Sequence, residues 1–546
     1  MTPIEQVPSA PSAVKPLLAP TLQAACERWA DRTAVVHNGR RLSYAELWQR
    51  VNGLAATYHA LGIRPGDRIV SQLPTCPEHL IAIHAAWACG AIHVGADKDL
   101  TGPELTALVE RTEAAAVVFQ PPPGTEDPIA PLRAVTAVRP GIVAIVHGDH
   151  AEAPALSLSA LLDSPPRNPP PPPPPAPRDT DLLLLTSGTT GRPKAVMETL
   201  PALWAKVAFF ADALAPGPHD VHLMYLPICH AFGLKLSLMA LASGGRLVLL
   251  DRFSPQEALR LVSDEQVTVL PGSPTHLTLL LEALDPSRHL TTSLRWVVTA
   301  AAPLPPDVLE QVYARLGVEV LFVYGCSEGF VTLTSDREEI RRGSVGRTVF
   351  RGPEGTPPNG ALAILDVDDD RRLPPEEVGV IAFGASRPVR YWGQQAVATD
   401  GWYRTGDLGW VDEDGRLFVT GRLKDVVNRG GLKVSPSEVE AALAHHPGVA
   451  DCAVIPTPDP VLGEAICACI VPADPHPPSL IELRSYLGAS LARHKLPDEL
   501  CVVDMIPRSK VGKLDRDALR AAVLEAQAPR ERFRERPGAA VTPSRA

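Results

Sequence analysis

The stretch of this 546-residue chain with the clearest chemical potential is Thr186-Ser187-Gly188-Thr189-Thr190-Gly191-Arg192-Pro193-Lys194. It follows an apolar run, 182–185, that reads as a strand. Its two glycines permit close backbone approach. Hydroxyls and amide N–H groups can cradle phosphate oxygens, and Lys194 adds a positive charge. The G-x-x-x-x-G-K-[ST] spacing of a Walker loop is absent. A Ser/Thr/Gly turn alone is usually only a loop, but nine residues in this order after a strand point to a nucleotide phosphate site.

Such a loop needs a sheet to hold it. Between about 67 and 325, short apolar runs (68–73, 115–119, 142–147, 182–185, 222–226, 246–250, 267–270, 294–299 and 318–323) alternate with segments of helical period such as 255–262, 274–284 and 305–316. This predicts an α/β fold whose large N-terminal domain has parallel sheets covered by helices. After about 346 the runs 361–365, 380–383 and 417–420 read as short strands, with Asp412-Glu413-Asp414-Gly415 as a hairpin connector, hence an antiparallel β subdomain. A small α+β C-terminal domain follows. There Ser435-Pro436-Ser437-Glu438 reads as a helix start: serine caps, proline takes the first helical position, and glutamate reaches back to the cap. The expected division is a disordered N-terminus 1–20, an N-terminal domain 21–421, a C-terminal domain 426–525 and a disordered tail 526–546. Within the first domain lies a proline-rich loop, 164–178, containing seven consecutive prolines, Pro169 to Pro175. Polyproline is stiff and cannot join a sheet, so the loop is either a surface connector before the 182–185 strand or a ligand for a proline-binding module.

Further motifs follow in order: Leu42-Ser43-Tyr44-Ala45-Glu46-Leu47, Leu226-Pro227-Ile228-Cys229-His230-Ala231-Phe232-Gly233, Tyr324-Gly325-Cys326-Ser327-Glu328, Tyr403-Arg404-Thr405-Gly406-Asp407, Gly421-Arg422-Leu423-Lys424-Asp425 and Pro507-Arg508-Ser509-Lys510-Val511-Gly512-Lys513. With the phosphate loop, this series resembles the ANL superfamily of adenylate-forming enzymes: acyl- and aryl-CoA synthetases, peptide-synthetase adenylation domains and beetle luciferases. The resemblance runs from about 22 to 522.

It implies that a carboxylate attacks the α-phosphorus of ATP while pyrophosphate leaves, a reaction between anions that depends on charge neutralisation and positioning. By resemblance, Thr186, Ser187, Gly188, Thr189, Thr190, Gly191 and Lys194 hold the β- and γ-phosphates. Glu328 ligates Mg²⁺ and Thr189 helps to place the metal. Tyr324, Gly325, Cys326 and Ser327 form the adenine segment, although Tyr324 could equally be core. Asp407 accepts from the ribose hydroxyls, and Arg422 contacts the ribose or α-phosphate. Lys513 is the mobile cation of adenylation, whereas nearby Lys510 is not. Lys424 marks a hinge at 422–425 about which a mobile C-terminal domain swings, and Gly430 and Gly431 keep a thiol channel clear for pantetheine.

The acid pocket is implied at His230, Phe232, Lys235, Thr299, Ala300, Ala301 and Val323. Here the chain departs from the family. The phosphate-loop helix reads Lys194-Ala195-Val196 where glycine commonly follows the lysine, and Thr199-Leu200 stands for Thr-His. Thr299-Ala300-Ala301-Ala302-Pro303-Leu304 replaces a Ser-Gly start, and Val323 stands where glycine is frequent. Added side chains at Ala300 and Val323 predict a shallower or reshaped pocket. Lys235 either pairs with a second carboxylate or polar group on the substrate or snorkels to solvent. No aspartate stands in the 230–233 segment for an α-amino group, so an amino-acid substrate is disfavoured.

The net charge of −10 gives no bulk attraction to nucleic acid or anionic lipid. Nine scattered cysteines lack zinc spacing, which suits a reduced cytoplasmic setting. No secretory signal or bilayer-length apolar run is read. The expected function is an AMP-forming carboxylic acid:CoA ligase using ATP, Mg²⁺ and coenzyme A on a small-molecule acid. The alternatives are loading a separate carrier protein, since no carrier motif follows 528, or performing one half-reaction with a partner enzyme. A catalytically dead binding protein is disfavoured by intact Lys194, Glu328, Asp407 and Lys513.

Overall fold

The structure, a computed structural model, describes residues 21–121, 124–148, 155–163, 179–186, 194–285, 292–329, 331–348, 361–384, 389–394, 397, 401–430, 432–508, 514–525 and 530–533. The proline tract and residues 1–20 and 534–546 lie outside them, whereas Arg530–Arg532, within the tail expected to be disordered, is a strand paired with Glu499–Cys501. The chain divides into two compact units, one comprising 1–341, 348–360 and 385–403, the other 342–347, 361–384 and 404–546.

The first unit contains two sheets. One has the spatial order Leu156–Ser157, Val143–Val146, Ala116–Phe119, Arg68–Gln72, Ile92–Ala96, Leu182–Thr186 and Lys194–Glu198. Its first six strands are parallel and the last is antiparallel. Ala116–Phe119 and Ile92–Ala96 are buried at every residue, His93 included, as central strands of a sheet covered on both faces should be. The second sheet runs Val331–Thr334, Glu319–Gly325, Trp296–Ala300, Val269–Gly272, Val221–Met224, Arg246–Leu249, Thr33–His37 and Arg40–Ser43. It is parallel except at its two edges. The α/β reading of this region is therefore correct.

The Leu42–Leu47 motif explains itself structurally. Ser43 and Glu46 form a reciprocal capping box at the start of helix Tyr44–Ala60. The buried Tyr44 hydroxyl donates to the carbonyls of Leu241 and Gly245, at 3.0 and 2.7 Å, and so ties that helix to the end of helix Ala231–Ala242.

In the second unit, strands Leu362–Leu365, Gly379–Gly384, Trp402–Val411 and Leu417–Arg422 form one sheet. The Asp412–Gly415 connector does join two antiparallel strands, closed by an Arg416–Asp412 ion pair at 3.0 Å and a positive φ of 77° at Gly415. A further sheet, Leu432–Val434, Val427–Arg429, Gly463–Pro472, Glu499–Val502 and Arg530–Arg532 with Val449–Asp459 beside Gly463–Pro472, carries helices Pro436–Leu443, Leu480–Leu487 and Arg516–Glu525. Its apolar faces make two cores, one around Val454, Ile466 and Leu483 and one around Ile455, Cys501 and Leu519.

Two local expectations need correction. Lys194-Ala195-Val196 is not helical: Lys194–Glu198 is a strand, and helix begins only at Leu200, capped by Thr199. The five residues bury Ala195, Val196 and Glu198 and pair fully with the preceding strand, and that tertiary partner decides the conformation. Helix Pro436–Leu443 starts where expected, but Ser435 makes no side-chain cap. Its hydroxyl donates instead to the Thr420 carbonyl at 2.8 Å, and Glu438 pairs with Lys495 at 2.5 Å. Trp402–Val411, which the sequence reading left unassigned, is a ten-residue strand.

Candidate functional site

Thr186 and Lys194 form the final pair of the hairpin that presents the phosphate loop. Ser187, Gly188, Thr189, Thr190 and Gly191 lie outside the described residues. Residues 390–392 extend the hairpin's outer edge. The Met197 N–H donates to the Arg390 carbonyl at 3.0 Å, the Trp392 N–H to that of Ala195 at 2.8 Å, and Val196 bridges Tyr391. This edge pairing brings the Lys194 ammonium to 5.0 Å from the centre of the Tyr391 ring. Such a cation–π contact is worth about 0.5–2 kcal/mol.

The same tyrosine reaches the other sheet. Glu328 sits in the loop after strand Glu319–Gly325, with Cys326 and Ser327 before it. The Tyr391 hydroxyl donates to Glu328 Oε1 at 3.0 Å and lies 2.9 Å from the Tyr403 hydroxyl, which is left to donate in turn. Tyr391 and Tyr403 are both buried, and burial pushes both phenols well above the usual range. With one oxygen held by a phenol, Glu328 offers the other to a hard cation. Among the described residues no convergent His/Cys/Asp/Glu trio includes Glu328. One carboxylate completed by nucleotide phosphates and water suits Mg²⁺, which keeps much of its hydration. Tyr391 was invisible to motif reading, because it is joined to Glu328 only by folding. Tyr324 is half-buried and Gly325 exposed at the strand end.

His230 caps helix Ala231–Ala242 without a side-chain bond. Its Nε2 lies 3.4 Å from Asp97 Oδ2, a partner from the far strand end that sequence did not suggest. Cys229 beside it and the Asp97 carboxylate raise the imidazole to about 10 against the opposing effect of burial. Phe232 packs on Phe210 with ring centres 6.3 Å apart. Lys235 does not snorkel: only 4% exposed, it is buried with the rest of its helix. Burial and the neighbouring Lys206 lower it to about 8, while Glu198 and Cys326 oppose that shift.

Ala300 and Val323 are register partners on adjacent parallel strands, so their methyl groups lie side by side. Thr299 is fully buried and its hydroxyl has no hydrogen-bond partner among the described residues. Ala301 sits at φ 81°, a left-handed conformation that costs a non-glycine residue about 1–2 kcal/mol. The strand therefore ends there in an abrupt turn.

In the second unit, Asp407 and Arg422 are opposite one another on paired strands, Oδ1 to Nε 3.0 Å. The Asp407 N–H donates to Thr405 Oγ1, whose hydroxyl donates to the Ile381 carbonyl, so the loop-like motif is fixed in its strand. Gly406 supplies the positive φ of 76°. Lys424 stands in the 3₁₀ turn Leu423–Asp425 and pairs loosely with Asp517 at 3.5 Å. Asp425 and Glu440 share Arg516, at 3.2 and 2.6 Å. Gly430 turns with φ 57° between strands Val427–Arg429 and Leu432–Val434, next to open space apart from Leu462. Gly431 and Lys513 lie outside the described residues.

Comparison with known proteins places this geometry. Residues 22–387 match the AMP-binding enzyme family and residues 438–513 the AMP-binding enzyme C-terminal domain. The chain is 32% identical to a 2-hydroxy-7-methoxy-5-methyl-1-naphthoate–CoA ligase of Streptomyces carzinostaticus, over 92% of each protein. It is also 32% identical to the 2,3-dihydroxybenzoate–AMP ligase of Bacillus subtilis, over 91% of this chain and 92% of that one. The crystal structure of ATP-bound MatB from Rhodopseudomonas palustris superposes with a TM-score of 0.80 at 28% identity, covering 91% of this chain and 96% of that one. No helix among the described residues is long and apolar enough to cross a membrane. The chain belongs to the AMP-binding enzyme family, within the ANL superfamily of adenylate-forming enzymes.

Proposed function

We propose that this adenylate-forming ligase activates a small carboxylic acid with ATP and transfers the acyl group to coenzyme A, giving acyl-CoA, AMP and pyrophosphate. The observation that carries the reading is the connection Lys194–Tyr391–Glu328, which links the end of the phosphate hairpin to the carboxylate suited to Mg²⁺. Bound there, Mg²⁺ would neutralise phosphate charge. The chain's own part is to fix the Glu328 oxygen through Tyr391 and to offer Lys194 and the 187–193 loop to the phosphates. Asp407 and Arg422 hold the ribose, and Lys513 supplies the cation that joins acid and α-phosphate. His230, Phe232, Lys235, Thr299, Ala300, Ala301 and Val323 line the acid pocket.

A pivot at Lys424 lies between two anchors, and a swing about it would release the Ser435 hydroxyl from the Thr420 carbonyl. Arg422 is tied to the four-stranded sheet through Asp407, and Asp425 to the C-terminal sheet and helices through Arg516. Only Leu423 and Lys424 lie between these anchors. Thiol entry past Gly430 and Gly431 follows from that swing. The nine free thiols suit the cytoplasm.

Similarity to a named CoA ligase supports coenzyme A as acceptor, while similarity to a named acid–AMP ligase favours a second reading, in which the adenylate goes to a separate carrier protein or partner enzyme. Pyrophosphate release from a panel of acids, with and without coenzyme A, separates these. Acyl-CoA formation at the rate of pyrophosphate release supports the first reading. Enzyme-bound adenylate that coenzyme A leaves untouched supports the second. No acid-dependent pyrophosphate release with any acid overturns both.

A further inference from the structure

The residues between helices Leu200–Leu214 and Ala231–Ala242 hold an unbalanced set of charges. Lys206 forms an ion pair with Glu198, their side chains only 8% and 7% exposed. Lys235 lies within the electrostatic reach of both and is just as deeply buried. Among the described residues, no hydrogen bond or ion pair reaches the Lys235 ammonium. Two ammonium groups thus share one carboxylate, and one positive charge is left over. An uncompensated buried ammonium costs several kcal/mol, which favours the neutral amine until an anion from elsewhere compensates the charge.

The position of the set shows where that anion would come from. Lys206 and Phe210 are four residues apart on one helix, and Phe232 and Lys235 three apart on the next, so each pair shares a face. Phe210 packs on Phe232, which turns both faces toward one another. The Lys206 ammonium in turn abuts the 326–329 loop: a Cβ placed on Gly329 would come within 3.1 Å of its Nζ. The charged cluster therefore lies against the helix face that carries Phe232 and beside the loop that carries Glu328. An acid held along the Phe232 face would bring a second anionic group within reach of Lys235, which shares that face.

We propose that Lys235, buried near the Glu198–Lys206 pair, binds a second anionic group on the substrate, so that the enzyme selects dianionic acids over monocarboxylic acids of the same skeleton. Lys235 is the specificity residue. Glu198 and Lys206 neutralise one another and leave Lys235 as the surplus cation. This rests on the proposed acid pocket and adds the class of acid.

The test is calorimetric binding to the full-length, AMP-saturated protein of succinate, glutarate, adipate and terephthalate, each against its monoacid counterpart, butyrate, valerate, hexanoate and benzoate. At least one dianion is expected to bind tenfold or more tightly than its counterpart. Lys235→Met should bring that ratio close to one without changing AMP affinity. The double variant Glu198→Gln/Lys206→Met, which removes a neutral pair, should keep the preference. No pair separated by more than threefold in the wild type overturns the proposal, as does a preference that survives Lys235→Met or is lost equally in both variants. Pyrophosphate release from the acids that bind tests the adenylation reading separately. A dianion preference without pyrophosphate release leaves the pocket standing and removes the activity, whereas release without preference does the reverse.

Discussion

Removing one hydroxyl tests the proposed coupling between the phosphate hairpin and Glu328. Tyr391→Phe keeps the ring under Lys194, and so the 5.0 Å cation–π contact, but deletes the 3.0 Å bond to Glu328 Oε1 and the 2.9 Å contact with the Tyr403 hydroxyl. A hydrogen bond to a charged group contributes about 1.5–3 kcal/mol, and each ~1.4 kcal/mol is tenfold in rate. If the whole of that bond serves to place the carboxylate during adenylation, acid-dependent pyrophosphate release should fall roughly tenfold to a hundredfold. Tyr403, only 8% exposed, loses one hydrogen-bond partner, which costs about 1 kcal/mol in stability. Urea unfolding should report that loss. The two readouts separate the roles: a purely structural tyrosine lowers the urea midpoint while kcat and the magnesium dependence of the folded enzyme stay as they were. Catalysis within twofold of wild type, at saturating ATP and magnesium, refutes the reasoning about Glu328.

Lys513→Ala is expected to cripple adenylation by a hundredfold or more while thioester formation from a supplied acyl-adenylate survives; stopped-time assays of the two half-reactions check this, and equal loss in both would remove the role. Gly431→Leu should do the opposite, sparing acid-dependent ATP–pyrophosphate exchange and slowing transfer to coenzyme A about tenfold or more. His230 gains a pH signature from its neighbours. Its folded value, near 10, lies above the ordinary 6.5, so its contribution to stability is complete below 6.5 and is lost as pH rises through 10. NMR should find the imidazole protonated at pH 8, and Asp97→Asn should lower its midpoint; an unshifted midpoint in that variant would show that Asp97 does not govern it.

What the sequence alone determined was the kind of chemistry and the sequence of parts. The phosphate loop, the Glu328, Asp407 and Lys513 motifs and the strand–helix alternation are local signals, since each needs only neighbouring residues and their periodicity to be recognised. The capping box at Ser43 and Glu46 and the Asp412–Gly415 connector are legible for the same reason. Short segments whose partners lie elsewhere were not. Lys194–Glu198 takes strand form because it pairs with Leu182–Thr186, and Ser435 turns from its helix to the Thr420 carbonyl. The tertiary structure also decided which groups meet. Tyr391 reaches Glu328 across 63 residues of chain, and His230 reaches Asp97 across 133. The sequence left Lys235 between a pocket position and a snorkelling one; it lies buried because its helix is covered by the fold from Gly233 to Ala242. Charge balance in a dry cluster depends on which side chains folding gathers there, and that three-dimensional count leaves no periodic trace in one dimension.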